Sequence, residues 1–222
     1  MRKRKISFDL SLGNKLFKAN QRSLLHIAKQ NLVLYENEYE SFIRKLTEEN
    51  SIKVSVFPTK DEEASHHANI EWIFLNSILI ALYSFFEHHL FALCRVVEDK
   101  DPSLVKIDDI KGEGIAKFCK YLSLVGQLKN GNKSGKEWQE VDKFRKVRNS
   151  LVHNGGILRT DLTKKLEDHE LYPFLKKHKV IMAGSLGLIR IRKTHFLEFF
   201  AQNTSAISDK LTAEIVLRYE IK

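Results

Sequence analysis

Helix breakers, cysteines and long uncharged runs are all scarce in this chain. With three prolines and ten glycines among 222 residues, little interrupts periodic segments, which favours long helices. Two cysteines, Cys94 and Cys119, are too few for a disulfide framework or a zinc knuckle. Both stand in apolar helical stretches, where the expected role is a small buried hydrophobe. The longest charge-free stretch, Trp72 to Phe86, falls short of the ~18 residues that suggest a membrane span. The basic opening, MRKRKISFDLSLGNKLFK, has no apolar core long enough for a signal peptide. These shortages together predict a cytoplasmic, reduced protein without a membrane partner. Acidic residues are also outnumbered: Lys+Arg 37 against Asp+Glu 28 give a formal charge of +9 and a pI near 9.4. That balance points to a polyanionic partner, a nucleic acid sooner than a membrane surface. A hydrophobic share of 43% excludes a disordered chain.

The periodicity predicts a mainly α protein: a helical bundle with a small β-hairpin in its C-terminal third. Residues 1–18 read as a basic N-terminal arm, 19–156 as the bundle, and 157–222 as a hairpin plus helix packing on the same domain. Leu24, Leu25, Ala28, Leu32, Tyr35, Tyr39, Phe42, Ile43 and Leu46 recur at three- and four-residue spacing, predicting a helix over 19–49. Lys53–Phe57 reads as a short strand stopped by Pro58, with Thr59 and Glu62 spaced as a capping box. A buried central helix is expected over 69–97. Further helices are expected over 113–128, 137–153 and 161–167, and from Thr194 to about Tyr219. Gly184-Ser185-Leu186-Gly187 between Val180–Ala183 and Leu188–Arg192 predicts the hairpin.

The chemistry concentrates in Val141–Gly156, VDKFRKVRNSLVHNGG. On a helix Asn149 and His153 lie about 40° apart on one face, whereas Arg148 is rotated about 140° from His153. His153 would sit in the last turn, with Gly155 or Gly156 ending the helix in left-handed backbone. A histidine that titrates near neutrality suits proton transfer. A guanidinium suits a pentavalent phosphorus, because its fork stays charged and binds two oxygens. An amide can orient the imidazole without adding negative charge. Lys143, Arg145 and Lys146 on the approach, with Lys133 and Lys136 in the preceding loop and helix start, are the candidate RNA-binding cations.

Arg148-Asn149-Ser150-Leu151-Val152-His153 resembles the R-N-x-x-x-H signature of the HEPN family of helical domains, and the resemblance covers roughly residues 20–156. It implies a metal-independent endoribonuclease, with no cofactor and no bound metal. The 2′-hydroxyl of the RNA would attack the adjacent phosphorus, leaving a 2′,3′-cyclic phosphate and a 5′-hydroxyl. Arg148, Asn149 and His153 would be its catalytic residues. The resemblance also implies a homodimer whose two motifs face one cleft, so that Arg148 and His153 need not share a face. A toxin or antiviral setting, with an antitoxin or defence partner protein, is implied in the same way. The competing reading is a noncatalytic RNA-binding or protein-interaction module of the same family.

Other signals are weaker. Gly126–Ser134 imitates a phosphate loop, but a lysine should follow its second glycine, and Asn132 stands there. His66-His67 and His88-His89 lack a metal-ligand spacing and read as polar faces of helices. Arg190, Arg192 and Lys193 could add to an RNA groove or simply keep a strand edge solvated.

Overall fold

The computed structural model describes residues 10–49, 58–102 and 105–219. Among them are six α-helices and one two-stranded antiparallel hairpin. Helix α1 covers Leu10–Glu49, α2 Pro58–Lys100, α3 Gly114–Lys120, α4 Lys136–His153, α5 Tyr172–Lys177 and α6 His195–Arg218. Strands β1 (Ile181–Ala183) and β2 (Leu188–Arg190) form the hairpin in the C-terminal third. The mainly helical class with its small hairpin is therefore what the protein adopts.

Several boundaries differ from the sequence pattern, each for a local reason. Helix α1 begins at Leu10, inside the stretch expected to be a basic arm, because Leu10 and Phe17 are buried and begin the apolar face a full two turns early. Helix α2 begins at Pro58, so that proline opens a helix; a first-turn position needs no N–H and suits the fixed φ of proline. The strand expected over 53–57 lies outside the described residues. The expected helix over 113–128 is α only to Lys120 and continues as a π turn over Tyr121–Val125.

The helix expected over 161–167 does not form. Asp161 Oδ1 accepts the Thr163 backbone N–H at 3.0 Å and the Thr163 hydroxyl at 2.6 Å, while Arg159 donates to the carbonyl of Leu162. Arg159 thus takes the Leu162 carbonyl that a helix would need for the Leu166 N–H, and only a 3-10 turn over Leu166–Asp168 remains.

The chain divides into two compact units, one from Met1–Arg22, Ala81–Lys146 and Phe199–Lys222, the other from Ser23–Ile80 and Val147–Glu198. The core of the first is aromatic. Phe86, fully buried, has Phe17, Trp138 and Phe200 rings with centroids at 6.0, 5.9 and 6.3 Å, and Phe144 meets Phe200 edge-on at 5.0 Å. Leu90, Leu93 and Val97 from α2 and Leu211 and Ile215 from α6 complete it.

That core also contains a polar line. His89 is buried, stacks on Phe17 at 4.3 Å and shares a 2.6 Å hydrogen bond with the Ser208 hydroxyl. Ser208 in turn donates to Asn14 Oδ1 at 2.6 Å. Expected as part of a polar face, His89 is instead a core residue; only His88 is exposed. Cys94 and Cys119 are both buried thiols, and burial pushes Cys119 up to about 12.

The second unit holds a smaller core of Leu75 and Leu79 from α2 with Leu171, Leu175, Ile189, Ile191 and Leu197. Phe174, His178 and Phe196 form a ring cluster, the phenyl centroids 5.7 Å apart. By length and composition one helix among the described residues, Asn69–Lys100, could cross a membrane; half of its most apolar window is buried inside the fold.

Candidate functional site

Helix α4 forms where the spacing placed it. Trp138, Val141, Phe144, Val147 and Ser150 are buried at three-residue steps, with Glu140 the one charged residue of the helix that is also buried. Glu137 lies in the first turn and His153 in the last, both placed to suit the helix macrodipole.

The motif residues sit on the last turns of α4. Arg148 Nη1 donates to Asn149 Oδ1 at 3.2 Å, so the guanidinium curls onto the amide beside it despite the angular separation of the two positions. Both are half-buried, whereas His153, one turn beyond Asn149, is exposed.

The helix ends in a fixed way. The Ser150 carbonyl accepts the Asn154 N–H at 3.0 Å and the Gly156 N–H at 2.9 Å, and the Ser150 hydroxyl donates to the Ile157 carbonyl at 3.0 Å. Two consecutive left-handed residues, Gly155 at φ +59 and Gly156 at φ +81, make this reversal, a backbone path that residues with a Cβ adopt only at a cost. Past the reversal, Gly156 offers its carbonyl to the Ile189 N–H at 2.9 Å, and Ile157 bridges Leu188 in antiparallel sense. The hairpin therefore fastens the exit of the motif helix.

The hairpin is held from a second point. Asn76, the one amide within the uncharged run of helix α2, is buried; it donates to the Ile189 carbonyl at 3.0 Å and accepts the Ile191 N–H at 3.3 Å. Gly156 and Asn76 together satisfy the outward backbone groups of β2, an edge that would otherwise invite pairing. The sequence signal for Asn76 was present, a single amide within an uncharged run, and Ser150 similarly stood as a small polar residue on the core face of α4.

The remaining candidates belong to the other compact unit. Lys143 Nζ pairs with Glu140 at 3.1 Å and Arg145 Nε with Asp142 at 2.8 Å, each one turn apart along α4. Lys133 and Arg145 line one crevice with Trp138, Val141 and Asp142. Burial opposes ionisation of Asp142, but the Arg145 hydrogen bond and the charges of Arg145, Lys133 and Lys146 outweigh it and hold the carboxyl below its usual range. Lys146 is half-buried and Lys136 is exposed.

The imitation phosphate loop has its own internal anion. Glu214 accepts the N–H groups of Lys129 and Asn130 at 2.6 and 3.0 Å and the Asn130 amide at 3.0 Å. The backbone donors a phosphate would need are thus engaged by a carboxylate. Arg190 and Arg192 are engaged too: the Arg190 guanidinium lies 5.1 Å from the Trp72 ring centre, and Arg192 pairs with Glu71 at 2.8 Å. No group of histidine, cysteine or carboxylate side chains spaced to hold a metal ion occurs among the described residues.

Comparisons of the chain with protein families, curated proteins and solved structures found no match.

Proposed function

We propose that the protein is a metal-independent endoribonuclease acting through Arg148, Asn149 and His153. The observation that carries this reading is the joined pair of Arg148 and Asn149 at the end of a helix whose last turn presents an exposed His153. His153 transfers protons between the 2′-hydroxyl, the leaving 5′-oxygen and water. Arg148 stabilises the charge that develops on the phosphoryl oxygens, and Asn149 holds that guanidinium in place. The 2′-oxygen forms its bond to phosphorus as the 5′-oxygen leaves, so the products are a 2′,3′-cyclic phosphate and a 5′-hydroxyl. No redox step or external nucleophile is required.

The family resemblance supports a homodimer in which two copies of the motif serve one cleft, with RNA as substrate. It also supports a toxin or antiviral role, with an antitoxin or other defence protein as partner. The second reading, a noncatalytic RNA-binding or protein-interaction module, draws on one observation: the Asn149 carbonyl is engaged by Arg148 and not by the imidazole.

Incubation of total RNA with the wild-type chain, His153→Ala and Arg148→Ala, with and without EDTA, tests the proposal. Cleavage that survives EDTA and disappears in both variants, with cyclic-phosphate ends on the products, is the expected result. Full cleavage by both variants, or loss of cleavage on chelation, would sink it.

A further inference from the structure

Two lysine- and arginine-rich stretches far apart in sequence, Lys176-Lys177-His178-Lys179 and Arg190-Ile191-Arg192-Lys193, meet at the open end of the hairpin. The register pairs Ile181 with Arg190, so the chain enters β1 from the first stretch and leaves β2 into the second at the same end of the hairpin. A link beyond the strands confirms the approach: His195 Nε2 lies 2.5 Å from the His178 carbonyl oxygen. The Phe174–Phe196 and His178–Phe196 ring contacts close the same gap from the core side.

The lysines gathered there stand in solvent. Lys176, Lys177, Lys179 and Lys193 are exposed, and no ion pair engages any of them among the described residues. Lys179 carries a further mark. It occupies φ +55 at the end of α5, where Val180 N–H returns to the Leu175 carbonyl and Lys179 N–H to that of Lys176. This is the terminating position at which glycine is the strain-free residue. A lysine stands there against the local backbone preference, beside other cations that repel it.

We propose that this strip binds the phosphate backbone of a single RNA strand, as a holding surface distinct from the Arg148–His153 motif. The choice of RNA over other polyanions rests on the ribonuclease reading. It is favoured because the hairpin that carries the strip is the one hydrogen-bonded to the exit of the motif helix. The lysines offer charge without a planar recognition fork, which fits backbone contact and not base reading.

The test measures anisotropy of a fluorescein-labelled single-stranded RNA of mixed sequence, over a salt series, with full-length protein. Every protein carries His153→Ala so that cleavage does not interfere. The parent is compared with a variant bearing Lys176→Gln, Lys177→Gln, Lys179→Gly and Lys193→Gln, and with the Lys179→Gly/Lys193→Gln double variant; thermal unfolding is recorded for each. Removing these contacts should weaken binding at least about tenfold at low salt and flatten the log–log salt dependence by roughly 3, with about half that flattening in the double variant. Because Lys179→Gly relieves strain, a folded variant with weaker binding isolates the surface from stability. Unchanged affinity and slope would overturn the proposal, as would a parent that binds no RNA. Binding to phosphatidylserine vesicles without binding to RNA would also overturn it and make the strip a membrane-docking face. Failure of the ribonuclease reading shows in the cleavage assay alone, so the two failures remain distinguishable.

Discussion

In the unit built around Phe86, charged and polar side chains are turned on one another. Lys18 pairs with Asp209, Lys210 with Glu137, Lys143 with Glu140, and Arg95 with Glu98 and Asp108. Even the loop most suggestive of phosphate binding is closed by Glu214. At the end of α5 and the hairpin the lysines have no such partners among the described residues. The same basic composition therefore means two things: some cations are internal wiring, mostly exposed pairs of small individual worth, while others stand exposed without an ion pair among the described residues. Lys106, Lys111, Lys120 and Lys136 of the Phe86 unit are of the second kind, as are the lysines of α5 and the hairpin, and only the latter gather at one end of a hairpin. Net charge alone cannot distinguish them; the position of carboxylates does.

That contrast can be broken at several points. The largest effect is expected from Phe86→Ala, which leaves a cavity among Phe17, Trp138 and Phe200 and should cost about 3–5 kcal/mol in urea unfolding. A loss below about 1 kcal/mol would show that the aromatic cluster is not the core of its unit.

Acid should weaken the same unit next most strongly. Burial, helped by the charge of His88, pushes His89 down to about 4, against about 6.5 in an unfolded chain. The folded state takes up its proton later, so the stabilisation is complete above pH ~6.5 and declines as pH falls towards ~4, by up to about 3 kcal/mol. Denaturation midpoints across that window, compared with those of His89→Gln, should show a steeper slope in the parent; parallel slopes would remove His89 as the cause.

Gly156→Ala should cost about 1–2 kcal/mol, since a left-handed residue with a Cβ is strained and the new carbon would lie 3.3 Å from Leu151 Cδ2. Gly155→Ala, equally left-handed but facing open space, should cost less. If the two are equal in thermal unfolding, packing against Leu151 plays no part in the reversal. The smallest effect has the opposite sign: Lys179→Gly should stabilise by about 0.5–1 kcal/mol, and a destabilised variant would show that the φ +55 backbone carries no strain.

Much of the fold was legible because its signals are local. The limits of α4 are legible in the polar loop 129–136 before it and the Asn154-Gly155-Gly156 exit after it, and the hairpin in Gly184–Gly187 between apolar runs. What was not legible depends on distant partners. Leu10 and Phe17 look like part of a basic tail until a core covers them, and His89 looks polar until Phe17 and Ser208 enclose it. The π turn over Tyr121–Val125 leaves no periodic trace that separates it from the α pattern. The motif triplet was readable by spacing, whereas the contact between Arg148 and Asn149 depends on a side-chain rotamer. The lysines of 176–179 are a short basic run that gains meaning only when the hairpin brings 190–193 beside it.

The bond from Ile189 N–H to the Gly156 carbonyl has a kinetic consequence. Local opening of a small hairpin occurs far more often than global unfolding, and each such event would release the end of α4 that carries His153. Protection of the Ile189 amide against hydrogen exchange is therefore a clock for how long the motif helix stays anchored. A bound RNA strand that quiets the hairpin would lengthen that interval without touching the motif itself.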